Sequence, residues 1–255
     1  MIHSIDPIFI SIGKFHIYWY GIMYLIAFIS AWYLGNIYIK KDIICISKDQ
    51  FSDLIFYCFL GVLFGGRFGY CLFYKLQETF ENPLSLFYIW EGGMSFHGGF
   101  LGVIISIIYF CKKSSVNFFQ VSDFITALTP IGLFTGRIGN FINAELWGKP
   151  SEVFWSVIFP RVDNLPRHPT QLYEAFLEGL ILFTILNILL IKKVKTKTVT
   201  SFFLIFYSTF RFFVEFFRVP DAHIGYVAFS WVTMGQILCL PMFFLGIYFL
   251  IIKRR

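Results

Sequence analysis

The sequence predicts an all-α integral membrane protein: seven transmembrane helices with outer-face arms and a small outer head segment. Three observations lead there. Of the 255 residues, 57% are hydrophobic and only 14% are charged, against roughly 25% charged in soluble domains. The mean hydropathy is +0.71. The apolar residues gather into seven runs, each close to the ~20 residues a helix needs to cross a hydrocarbon core.

The runs cover residues 17–39, 51–74, 94–111, 118–137, 172–191, 199–217 and 229–252. The first is too long for a removable signal and lacks a basic flank and a small-residue cleavage site, so it is expected to stay as a span. An odd number of spans places the termini on opposite sides. One set of connections holds Lys40, Lys41, Lys48, Lys112, Lys113, Lys192, Lys193, Lys195, Lys197, Lys253, Arg254 and Arg255; the other holds Lys14, Lys75, Lys149, Arg161 and Arg167. Twelve against five puts the carboxyl end in the cytoplasm and the amino end outside. The same asymmetry accounts for the +6 net charge, and no nucleic-acid partner is expected.

Two outer connections are long. Segment 75–93 carries Asn82-Pro83 and an aromatic tail from Phe87 to Trp90, which suits an arm lying in the interface, since Trp and Tyr favour headgroup depth. Segment 139–170 has strand-like residues between Pro150 and Pro160 and is expected to form the outer head. The whole chain, 1–255, reads as one seven-helix membrane domain. Its five cysteines are scattered without a C-x-x-C pair and read as small apolar residues; neither a disulfide framework nor a metal site is expected. No internal repeat of the kind found in inverted-repeat transporters is visible.

The polar residues inside these runs need a reason, because a charge at bilayer depth costs several kcal/mol. In the sixth run Tyr207, Arg211, Glu215 and Arg218 fall at i, i+4, i+8 and i+11, within about 60° of one another on a helix. Such a stripe either locks two helices through an Arg211–Glu215 pair or lines a functional cavity. The fourth run ends in Gly136-Arg137-Ile138-Gly139-Asn140-Phe141-Ile142-Asn143-Ala144-Glu145. Four polar residues in ten exceed what a helix end frayed into headgroups explains, and an arginine fork there suits a phosphate, whose oxygens it binds in pairs.

Other sites leave two readings open. Arg67, among Gly61, Gly65, Gly66 and Gly69, either snorkels to the headgroups or points inward; the glycines allow close helix approach. His97 sits in Gly92-Gly93-Met94-Ser95-Phe96-His97-Gly98-Gly99 and is either a hydrogen-bonded core residue or a general base, its ordinary pKa lying near 6.5. His16, Tyr20 and Tyr24 share a helix face and read as interface aromatics or as a pocket wall. In Arg167-His168-Pro169-Thr170-Gln171-Leu172-Tyr173-Glu174, Thr170 is a plausible N-cap, with Glu174 favoured in the first turn by the helix dipole.

Taken in order, these motifs resemble the prolipoprotein diacylglyceryl transferase family. The pieces that carry the resemblance are Tyr20-Gly21-Ile22-Met23-Tyr24, Gly66-Arg67-Phe68-Gly69-Tyr70, the glycine-rich stretch around His97, the signature from Gly136 to Glu145, the Arg167–Glu174 motif, and Tyr207 with Arg211–Arg218. They span nearly the whole chain. Tyr18 stands where the family often has histidine and Thr170 where it often has serine; neither change touches the chemistry.

The resemblance implies a seven-helix body with arms and a head in the bacterial inner membrane. It implies transfer of the diacylglyceryl group of phosphatidylglycerol to the lipobox cysteine of a prolipoprotein signal peptide, forming a thioether and releasing glycerol phosphate. No metal or organic cofactor is needed; the partners are the peptide and membrane lipid. A thiol of pKa near 8.5 attacks as thiolate, so His97 is the candidate base. Arg137 and Arg211 are expected on the leaving phosphate, supported by Arg67 and Arg218. Asn140, Asn143, Glu145, Tyr207 and Glu215 would orient arginines or headgroup, and Tyr20 would shape the pocket. A reading from another class is an anionic-lipid transporter or flippase that binds the same headgroup without chemistry. An intramembrane protease is remote, since neither G-x-S-x-G nor H-E-x-x-H occurs.

Overall fold

The computed structural model describes residues 1–13, 15–88, 93–220 and 225–252. Lys14, the Ile89-Trp90 end of the arm, the Glu91-Gly92 start of the glycine-rich stretch, His223 and the terminal Lys253, Arg254 and Arg255 lie outside the described residues, as do the side chains of Tyr74, Phe96 and His97. The chain divides into two compact units, Gly35–Ser122 and the remainder, Met1–Leu34 with Asp123–Arg255.

The architecture is helical. Among the described residues five helices are long and apolar enough to cross a membrane: Trp19–Lys40, Lys48–Phe73, Phe118–Ile142, Thr170–Ile191 and Met234–Ile251. A shorter apolar helix, Thr198–Val214, stands beside them in sequence. Phe59, Ile105, Leu180 and Phe244 are among the many large apolar side chains left exposed, as expected where the surrounding solvent is hydrocarbon.

In the unit Gly35–Ser122, helix α1 (Trp19–Lys40) ends and α2 (Lys48–Tyr74) begins. Ser47 and Gln50 make a reciprocal capping box, Gln50 N donating to Ser47 Oγ at 3.1 Å and Ser47 N to Gln50 Oε1 at 2.8 Å. Helix α4 (Phe96–Ser114) starts at Ser95, whose hydroxyl accepts from Gly98 N at 3.2 Å. It packs on α2 glycine to glycine. A Cβ on Gly61 would lie 2.6 Å from Gly102 O, and one on Gly69 would lie 2.8 Å from Gly98 Cα. These small residues set the close helix approach. The arm forms a short helix α3 (Leu76–Glu81) and a 3-10 turn, Pro83–Phe87.

In the other unit a hairpin of β1 (Ile8–Ile12) and β2 (Phe15–Tyr18) precedes α1. The apolar run from residue 17 therefore turns helical only at Trp19. Alternation of side chains around Gly13, whose φ is +60°, favours the strands. Helix α5 (Phe118–Ile142) leads into the head, where β3 (Val157–Ile158) pairs antiparallel with β4 (Pro166–Arg167). Ala144, Val157 and Phe159 form its core, with Phe141, Trp147 and Val162 packed against them. Gly148 is hemmed in by backbone: a Cβ would lie 2.5 Å from His168 O and 2.8 Å from Phe217 O.

The predicted fifth span forms as α6 (Thr170–Glu174), a π-helical stretch (Ala175–Ile181) and α7 (Leu182–Ile191). Thr170 is the first helical residue rather than the N-cap. Pro169 occupies the cap position without a side-chain bond, and the Thr170 hydroxyl donates to Leu146 O at 2.9 Å, tying the head to the helix. Helix α8 (Thr198–Val214) ends three residues before the predicted limit. Strands β5 (Tyr226–Ala228) and β6 (Val232–Thr233) then lead into α9 (Met234–Ile251).

Helix α8 starts at Lys197, which is left-handed at φ +76° and offers no side-chain cap. Asp123 on α5 supplies the missing acceptor. Its carboxylate takes Lys197 N at 2.8 Å, Thr200 N at 2.8 Å and Thr200 Oγ1 at 2.6 Å. A side chain 77 residues away in sequence thus satisfies the orphan amides of a helix start.

Candidate active site

Helices α5, α6 and α8, the π-helical stretch and the Thr233 turn bring one connected set of charges together. Arg137, in the last turns of α5, places Nε 3.1 Å from Glu174 Oε2 and Nη2 3.4 Å from Glu178 Oε2. The other Glu174 oxygen pairs with Arg211 Nη1, and Arg211 Nη2 pairs with Glu215 Oε1. Arg218 Nη1 reaches the same Glu215 oxygen at 3.3 Å. Thr233 Oγ1 donates to Glu215 Oε2 at 2.8 Å while accepting from Gln236 N at 3.2 Å.

The result is an alternating chain, Arg137–Glu174–Arg211–Glu215–Arg218, with Glu178 branching from Arg137. Burial makes alternation necessary. Glu174 and Glu178 have no exposed surface, and an uncompensated ion there would cost several kcal/mol. Three guanidinium groups and three carboxylates balance. Gly235 is dictated by this packing, because a Cβ would lie 2.9 Å from Glu215 Oε1. A cavity of about 30 Å³ opens beside Arg211, Glu215, Arg218 and Thr233.

The Gly136–Glu145 stretch is held as a unit. Asn140 Nδ2 donates to Glu145 Oε2 at 3.0 Å and Asn143 Nδ2 to Glu145 Oε1 at 3.2 Å. Gln171 Nε2 donates to Glu145 O, linking the stretch to α6. The Tyr20 ring packs on Gly139, where a Cβ would lie 3.0 Å from the ring, and the Tyr20 hydroxyl is 3.3 Å from that of Tyr24. Tyr207 is buried in α8, stacked on Phe203, with Glu178, Arg137, Arg211 and Glu174 as its electrostatic neighbours.

Structure thus brings Arg137, Arg211, Glu215, Arg218 and Tyr207 together, with Asn140, Asn143, Glu145 and Tyr20 around the end of α5. Arg218 joins from beyond the end of α8. Arg67 belongs to the other unit, where its Nη2 and Nε donate to Ser85 O at 2.8 Å and 3.2 Å and so anchor the arm. His97 lies in the first turn of α4, and its side chain is outside the described residues. Glu174, read from the sequence as a helix-start carboxylate, bridges two arginines instead. Glu178 and Thr233 went unnoticed, and Gln171 was read only as part of a helix-start motif; a second glutamate four residues after Glu174 in an apolar run is the signal that could have found Glu178.

At the head, the Tyr173 hydroxyl accepts from Trp155 Nε1 at 2.5 Å and lies 3.0 Å from His168 Nδ1. Burial pushes the His168 imidazole below its ordinary pKa. Arg167 pairs with Asp163, its Nε 3.1 Å from Oδ1, and holds that carboxyl below the usual range. Among the described residues no group of three His, Cys, Asp or Glu side chains is placed to hold a metal ion.

Residues 7–252 match the sequence model of a family described as prolipoprotein diacylglyceryl transferase. The chain belongs to this family. It is 51% identical over 248 residues to the phosphatidylglycerol–prolipoprotein diacylglyceryl transferase of Pseudomonas savastanoi pv. phaseolicola, covering 96% of this chain and 92% of the relative. To the protein of the same name from Pseudomonas aeruginosa it is 51% identical over 252 residues, 99% of this chain and 95% of the relative. Relatives of this kind and five long apolar helices make it a multi-pass bacterial membrane protein.

Proposed function

We propose that this protein transfers the diacylglyceryl group of phosphatidylglycerol to the lipobox cysteine of a prolipoprotein signal peptide. The observation that carries this reading is the buried Arg137–Glu174–Arg211–Glu215–Arg218 chain in a member of a family whose relatives are named for that reaction. Counting α4 and α8 with the five long helices gives seven spans. The basic residues then set the amino end outside and the carboxyl end in the cytoplasm of a bacterial inner membrane. On that topology the arm, 75–93, and the head, 139–170, lie on the outer face, where a secreted peptide and the outer-leaflet lipid meet.

The chemistry follows from charge. The thiol sulfur attacks the glycerol carbon bonded to the phosphate ester oxygen. The C–S bond forms, the C–O bond breaks, and the bonding pair leaves with glycerol phosphate. Negative charge grows on the phosphate, and preorganised guanidinium groups in a low-dielectric site stabilise that growth. Arg137 and Arg211 fill this role, with Glu174 and Glu215 fixing their forks and Arg218 adding charge. Asn140, Asn143 and Glu145 orient the headgroup glycerol, Tyr20 and Tyr207 wall the pocket, and Arg67 supports by holding the arm. His97 takes the thiol proton. Positioning two membrane-held substrates supplies the remaining rate.

The test is turnover by purified protein in phosphatidylglycerol vesicles with a lipobox peptide. Gain of a diacylglyceryl mass on the cysteine supports the reading. Movement of labelled lipid between leaflets with the peptide unmodified would replace it with a lipid transporter.

A further inference from the structure

The ion-pair chain is charge-balanced, with three arginines on three glutamates, so a phosphate entering it must take N–H donors away from a carboxylate. The three glutamates are not equally able to yield. Glu174 is shared between Arg137 and Arg211. Glu215 is held by Arg211, Arg218 and Thr233. Among the described residues Glu178 has one long contact, 3.4 Å to Arg137 Nη2, and its other oxygen, Oε1, is buried without a hydrogen-bond partner.

Its backbone is also unusual. Glu178 lies in the π-helical stretch, Ala175–Ile181, a rare geometry that recurs at functional sites. Gly179 beside it lets this stretch press on α5, since a Cβ there would lie 2.7 Å from Phe134 Cβ. That close approach brings the carboxylate within reach of Arg137. Without Glu178 the chain of three arginines and two glutamates carries one net positive charge, which matches one phosphodiester.

We propose that Glu178 is a resident stand-in for the substrate phosphate on Arg137, displaced when phosphatidylglycerol binds and returning to help expel glycerol phosphate. The inference rests on the function proposed above. A bound headgroup takes Nη2 of Arg137 and leaves a carboxylate without its counter-ion one turn deeper than Glu174. That arrangement is costly in a low-dielectric interior, so the carboxylate competes for Arg137 at every stage. It weakens lipid binding and hastens product release. The dianionic product is repelled more than the monoanionic substrate, which gives the competition a direction.

The experiment compares wild type with Glu178→Gln and Glu178→Asp in vesicles of phosphatidylglycerol, measuring KM for the lipid, kcat, and inhibition by added glycerol phosphate. Glu178→Gln keeps the shape and removes the charge. Its KM and the inhibition constant should fall by about tenfold, the scale of a close charge contact, while kcat falls through slower product release. Glu178→Asp keeps the charge but draws it back, and should tighten binding by less. A rise in KM and the inhibition constant for Glu178→Gln would make Glu178 a support for Arg137 and overturn the proposal, as would values unchanged from wild type. If Glu178→Gln does not fold, Glu178→Asp alone decides by the direction of the same two constants. Wild-type protein that makes no thioether product would instead sink the functional reading itself.

Discussion

Arg211 is the joint of the charge network, and replacing it with lysine separates the geometry of its fork from its charge. The guanidinium fork spans two carboxylates on different elements, Glu174 on α6 and Glu215 after α8. An ammonium is a single point and can satisfy one of them well. Arg211→Lys therefore keeps the net charge and loses about one charge-assisted hydrogen bond, worth roughly 1.5–3 kcal/mol. One glutamate is left partly uncompensated at a buried position. If that geometry serves the departing phosphate, the loss appears in the transition state, and about 1.4 kcal/mol is tenfold in rate. The expected fall in kcat/KM is about 10- to 100-fold, measured as diacylglyceryl transfer to a lipobox peptide. Melting temperature, read in parallel, separates catalysis from folding. Turnover within about twofold of wild type for a folded Arg211→Lys would refute the argument that the fork matters, because total charge alone would then suffice.

Three further outcomes follow from other parts of the molecule. His97→Gln should lower turnover at neutral pH and recover at alkaline pH, where the thiol ionises unaided; an equal loss across a pH profile would make His97 structural. Asp123→Ala removes the acceptor for three donors at the start of α8 and should cost about 1–2 kcal/mol of stability, read as a lower melting temperature; an unchanged melting temperature would refute the cap. Asp163 has its pKa lowered by Arg167, so its folded value lies below its unfolded one. The pair's contribution is complete above the unfolded value near 3.9 and is lost as pH falls through the folded value. Asp163→Asn should therefore flatten the acid end of a stability–pH profile of the head, and an unchanged profile would contradict it.

Much of the fold is legible because hydrocarbon is an unforgiving solvent. A helix satisfies its own backbone, so apolar length reads almost directly as helix, and the observed helices begin and end within a few residues of the apolar runs. The hairpin before α1 was not legible, because Ile and Phe serve a strand as readily as a span and only the short alternation around Gly13 differs. Site residues divide in the same way. Arg137, Arg211 and Glu215 stood out by spacing and by cost in an apolar run. Glu174 was hidden by an innocent local explanation at a helix start, and that explanation also hid its i+4 relation to Glu178. Thr233 and Asp123 act across 18 and 77 residues of sequence, a relation that periodicity along one helix does not carry.

On this reading the network performs chemistry on the lipid it binds. Phosphatidylglycerol labelled in its headgroup, incubated with the protein and a lipobox peptide, tests it most directly. Labelled glycerol phosphate should be released one-for-one with thioether on the peptide, and both should disappear together when the lipobox cysteine is replaced with serine. Release of headgroup with no peptide product, or lipid binding with no release at all, would contradict it.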